Sequence, residues 1–193
     1  MSVSTFKRLQ SAVEQLRPEA VELMKKLISI NSVGPQNNGP GETEKANFIS
    51  DYLRKCGMTD FKDYPAPDHT VVGGLRPNFS VTVSGQTRQR TLWIITHTDI
   101  VPPGDPTKWH SDPYQAVVRD GRIYGRGSED NHQGIVSAIV AARAFLQAGI
   151  KPYSDLKLIF VADEETGSKS GLVHLLAQHP DLFRRDDLII IPD

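Results

Sequence analysis

Between Thr5 and Ile28 apolar side chains fall at Phe6, Leu9, Val13, Leu16, Val21, Met24, Leu27 and Ile28. That is the spacing of a helix with one buried face. Pro18 interrupts the stretch and predicts two helices, because proline removes a donor from the helical ladder. Gly34, Pro35, Gly39, Pro40 and Gly41 predict a loop from Asn31 to Glu42. Helical spacing resumes from Glu42 to Cys56, with Ala46, Ile49 and Leu53 on one face and Gly57 as a stop. The texture then changes. Phe79, Val81 and Val83 alternate with Ser80 and Thr82, which predicts a half-buried strand. Thr91 to Thr96 is a short continuous apolar run, as in a strand covered on both faces. Ala116–Arg119 and Arg122–Tyr124 flank Asp120-Gly121, a strong hairpin signal. Gly134 to Ala148 reads as a helix ended by Gly149, and Ser170 to Gln178 as another. Leu156–Ala162 and Leu188–Ile191 read as two more buried strands. Buried strands alternating with helices predict an α/β fold with a largely parallel central sheet.

In such a fold the site lies beyond the C-terminal ends of the strands. There the chemistry collects. One strand runs into Thr96-His97-Thr98-Asp99, a second into Ala162-Asp163-Glu164-Glu165, a third into Pro192-Asp193. Asp130 follows the glycine-rich turn Gly125 to Asp130, just before a predicted helix. Taken singly, each acid is an ordinary turn or cap residue. Taken together, they place one imidazole and several carboxylates at one sheet edge, where they repel unless cations hold them. Imidazole and carboxylate without thiolate suit Zn²⁺, with Mn²⁺ or Co²⁺ as alternatives. His97 and Asp99 are two apart on an extended segment, so Asp99 can accept a hydrogen bond from the ring nitrogen of His97 that faces away from the metal. Glu164 and Glu165 would diverge in extended chain, one toward the metal and one toward the substrate as a general base.

Composition narrows the classes. The chain has 193 residues, enough for one ordinary domain. Lys and Arg number 22 against 23 Asp and Glu, which argues against a nucleic-acid binder. The single cysteine, Cys56, excludes an intrachain disulfide framework and a Cys-rich zinc site. No apolar run reaches the roughly 18 residues of a membrane helix, and MSVSTFKRLQ lacks a signal-peptide core. A soluble cytoplasmic protein is expected.

The motifs Thr96-His97-Thr98-Asp99, Trp109 to Pro113, Tyr124 to Asp130, Asp163 to Gly167 and the terminal Asp193 resemble, in order and approximate spacing, the dizinc aminoacylase and carboxypeptidase G family. Its members include succinyl-diaminopimelate desuccinylase, acetylornithine deacetylase and carnosinase-type dipeptidases. The resemblance implies a three-layer α/β/α catalytic domain of zinc-peptidase type. It implies that His97 and Asp193 hold one zinc, that Asp130 bridges two, and that Glu165 holds the second. Glu164 would be the general base and acid, and Asp99 would orient His97. A cis peptide at Asp130-Asn131 is a further expectation. The implied reaction is hydrolysis of an amide in an N-acyl amino acid or short peptide, with a free carboxylate on the substrate.

Two departures qualify the resemblance. Many members carry a Lys soon after the bridging Asp, where this chain has Asp130-Asn131-His132. His132 is expected as a surface residue at a helix start, with a metal contact as the weaker reading. Family enzymes are also roughly twice as long. Residues 1–193 match the N-terminal half of the catalytic machinery, without the lid and dimerisation domain or the final His ligand. His69, His110, His174 and His179 are expected on the surface or in packing. The chain is therefore expected to be a fragment with weak second-metal affinity, weak or no catalysis, and an unpaired apolar sheet edge, and the full-length protein is a possible homodimer. Competing readings are a dizinc aminopeptidase with the same ligand order, and a non-catalytic domain that kept the fold. Phosphate binding through Gly125 to Gly127 lacks the required spacing.

Overall fold

The computed structural model describes residues 2–193. Helix α1 (Val3–Ser29) runs unbroken through Pro18, where two helices were predicted. An interior proline costs about 3 kcal/mol, but α1 buries Ala12, Leu16, Leu23, Met24, Leu27 and Ile28 in one stripe. Each large side chain of that kind contributes about 1.5–3 kcal/mol, so packing outweighs the lost hydrogen bond. Helix α2 (Thr43–Lys55) buries Ala46, Ile49 and Leu53 as the spacing predicts. There follow β1 (Asp60–Asp63), the short ladder of β2 (Ala66–Pro67) with β3 (Leu75–Arg76), and β4 (Phe79–Val83). The first three carry too few apolar residues for pattern to reveal them. Next come β5 (Thr87–His97), the hairpin β6 (Val117–Arg119) and β7 (Arg122–Tyr124), α3 (His132–Gln147), β8 (Ser154–Val161), α4 (Leu172–Gln178) and β9 (Leu188–Ile190). The hairpin turn has φ of 53° at Asp120 and 74° at Gly121, the backbone that matches strand twist.

The main sheet is mixed, in the order β1-β4-β8-β5-β9. Strand β5 is parallel to β8 and β9, whereas β4 is antiparallel to β8 and to β1. On one face, side chains of α1, α2 and α3 pack on Phe79, Val81, Val83, Leu156, Leu158 and Phe160. On the other, Trp93, Ile95, Ile159 and Val161 pack with Tyr64 and with Leu175 of α4. Three layers result.

Two strands depart from expectation. β4 is covered on both faces: Ser80 is buried, because Tyr64 lies over it with its hydroxyl 3.4 Å from Ser80 Oγ. β9 is the reverse. Leu188, Ile189, Ile190 and Ile191 are 48–58% exposed, because β9 pairs with β5 alone at the edge of the sheet. Among the described residues no helix is long and apolar enough to cross a membrane.

Candidate metal centre

Parallel strands bring their C-terminal ends to one edge. His97 closes β5, in register with Val161 at the end of β8. Asp163, Glu164 and Glu165 follow β8, and Asp193 follows β9. Asp130 stands between the glycine turn and α3. The Trp109 to Pro113 loop backs that turn: Arg126 N–H donates to Pro113 O at 2.7 Å, and the Arg126 guanidinium lies 5.4 Å from the Trp109 ring. The Asp130-Asn131 peptide is cis, as the resemblance implied.

The fold gathers all six expected residues. His97 Nε2 is 3.0 Å from Asp130 Oδ1 and 3.7 Å from Asp193 Oδ1. His97, Asp130 and Glu165 offer ligand atoms within 4.8 Å of one another, and so do His97, Glu164 and Asp193. Glu165 Oε1 is buried and has no hydrogen-bond partner. Crowded carboxylates around an imidazole, with one orphaned oxygen, fit a divalent cation. His69, His110, His132, His174 and His179 join neither group.

Asp99 does more than its spacing suggests. His97 Nδ1 lies 3.3 Å from Asp99 Oδ1 and 3.2 Å from the Asp99 main-chain oxygen. The same carboxylate accepts the Glu164 N–H at 3.1 Å and the Glu165 N–H at 3.0 Å. One buried group therefore orients the imidazole and ties down the acidic turn. It also explains a correction. Glu164 and Glu165 are not in extended chain; they open a 3-10 turn, Glu164–Thr166, entered through Asp163 at φ 65°. Both side chains reach the site, Glu165 beside Asp130 and Glu164 beside Asp193. Asp163 Oδ2 accepts the Ser170 N–H at 2.9 Å, and its own N–H donates to Glu42 Oε1 at 3.2 Å.

Electrostatics follow from this crowding. Burial pulls the His97 imidazole down, but the hydrogen bond and charge of Asp99, with the charges of Asp193 and Glu164, outweigh it and hold the ring at about 9. Glu164 and Glu165 are raised, first by burial and then by their acidic neighbours, with His97 opposing.

Behind the site lies a buried polar layer that the sequence reading missed. Glu42, Lys45, Arg76 and His132 are all 0% exposed. Arg76 grips Glu42 with two hydrogen bonds, one of them Nε to Oε2 at 2.7 Å, and reaches Asp68 at 3.2 Å. Burial raises Glu42, and Arg76 opposes that rise. His132 is interior, not the expected surface residue at a helix start. Its Nε2 lies 2.5 Å from Lys45 Nζ, on α2. Burial pushes Lys45 down to about 7, against the pull of Asp99 and Glu42. A signal for Lys45 was present: it falls four residues before Ile49, on the apolar face of the helix, where a cation breaks the pattern. Nothing local marks Arg76 or His132.

Residues 93–191 match the family model described as peptidase family M20/M25/M40. An uncharacterized metallohydrolase of Methanocaldococcus jannaschii is 43% identical over 180 residues, 91% of this chain and 44% of the relative. A succinyl-diaminopimelate desuccinylase of Paracidovorax citrulli is 35% identical over 149 residues, 77% of this chain and 37% of the relative. Among solved structures, the Saccharomyces cerevisiae di-peptidase Dug1p superposes with a TM-score of 0.79 at 21% identity, covering 96% of this chain and 40% of that one. Human carnosine dipeptidase 1 gives 0.76 at 24%, with the same coverage. At these identities the structural likeness speaks for the fold. The chain thus spans less than half the length of the relatives it matches. With its motifs at the parallel strand ends and its match over residues 93–191, the chain belongs to peptidase family M20/M25/M40.

Proposed function

We propose that this chain supplies most of the metal-binding wall of a dizinc amidohydrolase that cleaves an N-acyl amino acid or a short peptide. The observation that carries this reading is the convergence of five side chains in two groups of ligand reach that share His97, one with Asp130 and Glu165 and one with Glu164 and Asp193. In the proposed assignment His97 and Asp193 would hold one zinc, Glu165 would hold the second, and Asp130 would serve both. Co²⁺ or Mn²⁺ suits the same donors. When bound, the metals supply Lewis acidity and bring the pKa of a water toward 7. Glu164 takes the proton of the attacking water and passes it to the leaving amine. Its raised carboxyl suits a group that must both accept and return a proton. Asp99 holds the His97 ring so that Nε2 faces the carboxylates. Likeness to a succinyl-diaminopimelate desuccinylase favours a deacylase, and likeness of fold to two dipeptidases keeps short peptides in view. A cytoplasmic setting and a homodimer of the longer protein belong to the same proposal.

The test is zinc stoichiometry on the 193-residue chain after exchange into metal-free buffer, followed by hydrolysis assays on the longer protein with N-succinyl and N-acetyl amino acids and dipeptides. One tightly held zinc on the chain, without a second of similar affinity, and zinc-dependent amide cleavage by the longer protein, are expected. No zinc binding, or cleavage that survives complete metal removal, would overturn the reading.

A further inference from the structure

We propose that Lys45 is a positioning residue for the metal site, acting through His132 to hold the loop that carries Asp130. The inference rests on the metal-site reading above and adds to it a residue from a different layer of the fold.

Asp130 needs an external anchor. Its side chain is 59% exposed, and the contact that fixes it is His97 Nε2 at 3.0 Å. The loop bearing it is closed by His132, at its far end, against Gly127 near its start. The His132 N–H donates to Gly127 O at 3.0 Å. The His132 ring lies close against Gly127, where an added Cβ would come within 2.7 Å of Cε1 and 2.9 Å of Nδ1. Asn131, between them, points elsewhere and donates to Asp193 Oδ1 at 3.0 Å. The orientation of the His132 ring therefore sets where Asp130 sits relative to His97 and Asp193.

The ring is held in turn by Lys45. Its Nζ is 2.5 Å from His132 Nε2, while Nδ1 is buried without a partner. Lys45 is a costly choice for that place. It is fully buried on the apolar face of α2, and Glu42, a buried acid three residues before it, is already engaged by Arg76. A well-packed apolar residue of similar volume would be as stable or more so, because it carries no desolvation penalty. The exception to pattern is thus explained by what Lys45 touches. It links α2, a helix remote from the strand ends in sequence, to the loop that must present a carboxylate to the metal.

The discriminating variant is the double substitution Lys45→Met with His132→Leu, which removes the bond from both ends and leaves no orphaned polar group. A purely structural pair predicts unchanged zinc affinity in this variant. Positioning predicts a melting temperature of the metal-free chain at or above that of the parent, with zinc affinity weakened tenfold or more by calorimetric titration. His132→Gln, whose amide keeps an acceptor near the place of Nε2, should stay within about threefold of the parent. Hydrogen exchange in the metal-free chain supplies a readout that needs no zinc: amides of residues 127–132 should exchange at least tenfold faster in the double variant, with β5 and β8 unchanged. Unchanged exchange over 127–132 overturns the proposal, and so does zinc affinity within twofold of the parent. Should the parent chain bind no zinc, the metal-site reading fails on its own, and the exchange measurement still decides whether Lys45 holds the loop.

Discussion

Loading zinc onto the metal-free chain at pH 7 should displace close to one proton, and that proton should come from His97. The ring is held at about 9 by Asp99, Asp193 and Glu164 against the effect of burial. At pH 7, two units below that value, about 99 in 100 rings are doubly protonated, and a protonated imidazole cannot ligate. The competition weakens zinc binding at pH 7 about a hundredfold relative to pH above 9, or about 3 kcal/mol. Apparent affinity should therefore rise about tenfold per pH unit between pH 6 and 8 and level off above 9. Calorimetric titration in two buffers of different ionisation enthalpy reads the proton count directly. Asp99→Asn supplies the control. It removes the charge closest to Nδ1, while the burial that lowers the ring remains. With that charge gone the ring falls from its raised value, opposed only by the charges of Asp193 and Glu164, and release at pH 7 should be clearly smaller than in the parent. A parent chain that binds zinc at pH 7 without releasing a proton would refute the reasoning. So would an Asp99→Asn chain that releases as much as the parent.

Other outcomes follow from the same geometry. Without metal, the raised His97 stabilises the fold fully below pH 6.5, and that stabilisation is lost as pH rises through about 9. Lys45, lowered to about 7, acts oppositely, since its burial cost is relieved as pH rises from 7 toward 10.5. Lys45→Met should therefore make metal-free stability fall more steeply between pH 7 and 9 than in the parent, as read by urea unfolding at both values. Arg76→Met leaves Glu42 buried without its partner and should cost about 3–5 kcal/mol in the same assay, whereas exposed Lys25→Met, which breaks the surface pair with Glu22, should cost no more than about 1 kcal/mol. In the longer protein, Glu164→Gln should lower kcat by about 10²–10⁴ with KM little changed and zinc content intact. Loss of zinc in that variant would instead make Glu164 a ligand.

Much of the architecture is legible in one dimension. The helical spacing at Ala46, Ile49 and Leu53, the Asp120-Gly121 hairpin and the apolar run ending at His97 each report how one element buries its own side chains. The alternation of buried strands with helices implies parallel strands, and parallel strands place His97, Glu164, Glu165 and Asp193 at one edge without any knowledge of packing. Where local pattern misled, a neighbour had intervened. Tyr64 covers the polar face of β4, and the apolar stripe of α1 carries Pro18 within a continuous helix. The exposed face of β9 shows the same limit from the other side. An apolar run marks a strand suited to burial, whereas its actual exposure depends on what lies beside it.

By itself, then, the sequence determined most of the longer elements and the edge of the sheet at which His97 and the acidic side chains gather, because periodicity and strand direction are properties of short segments. Only the tertiary structure decided that Asp99 ties both glutamate N–H groups across more than sixty residues of chain. Only there do Arg76 and Glu42 meet, and only there does Lys45 reach His132. Those contacts join side chains from different layers, and no local pattern encodes them. They exist because buried polar groups must find partners wherever packing brings the layers together.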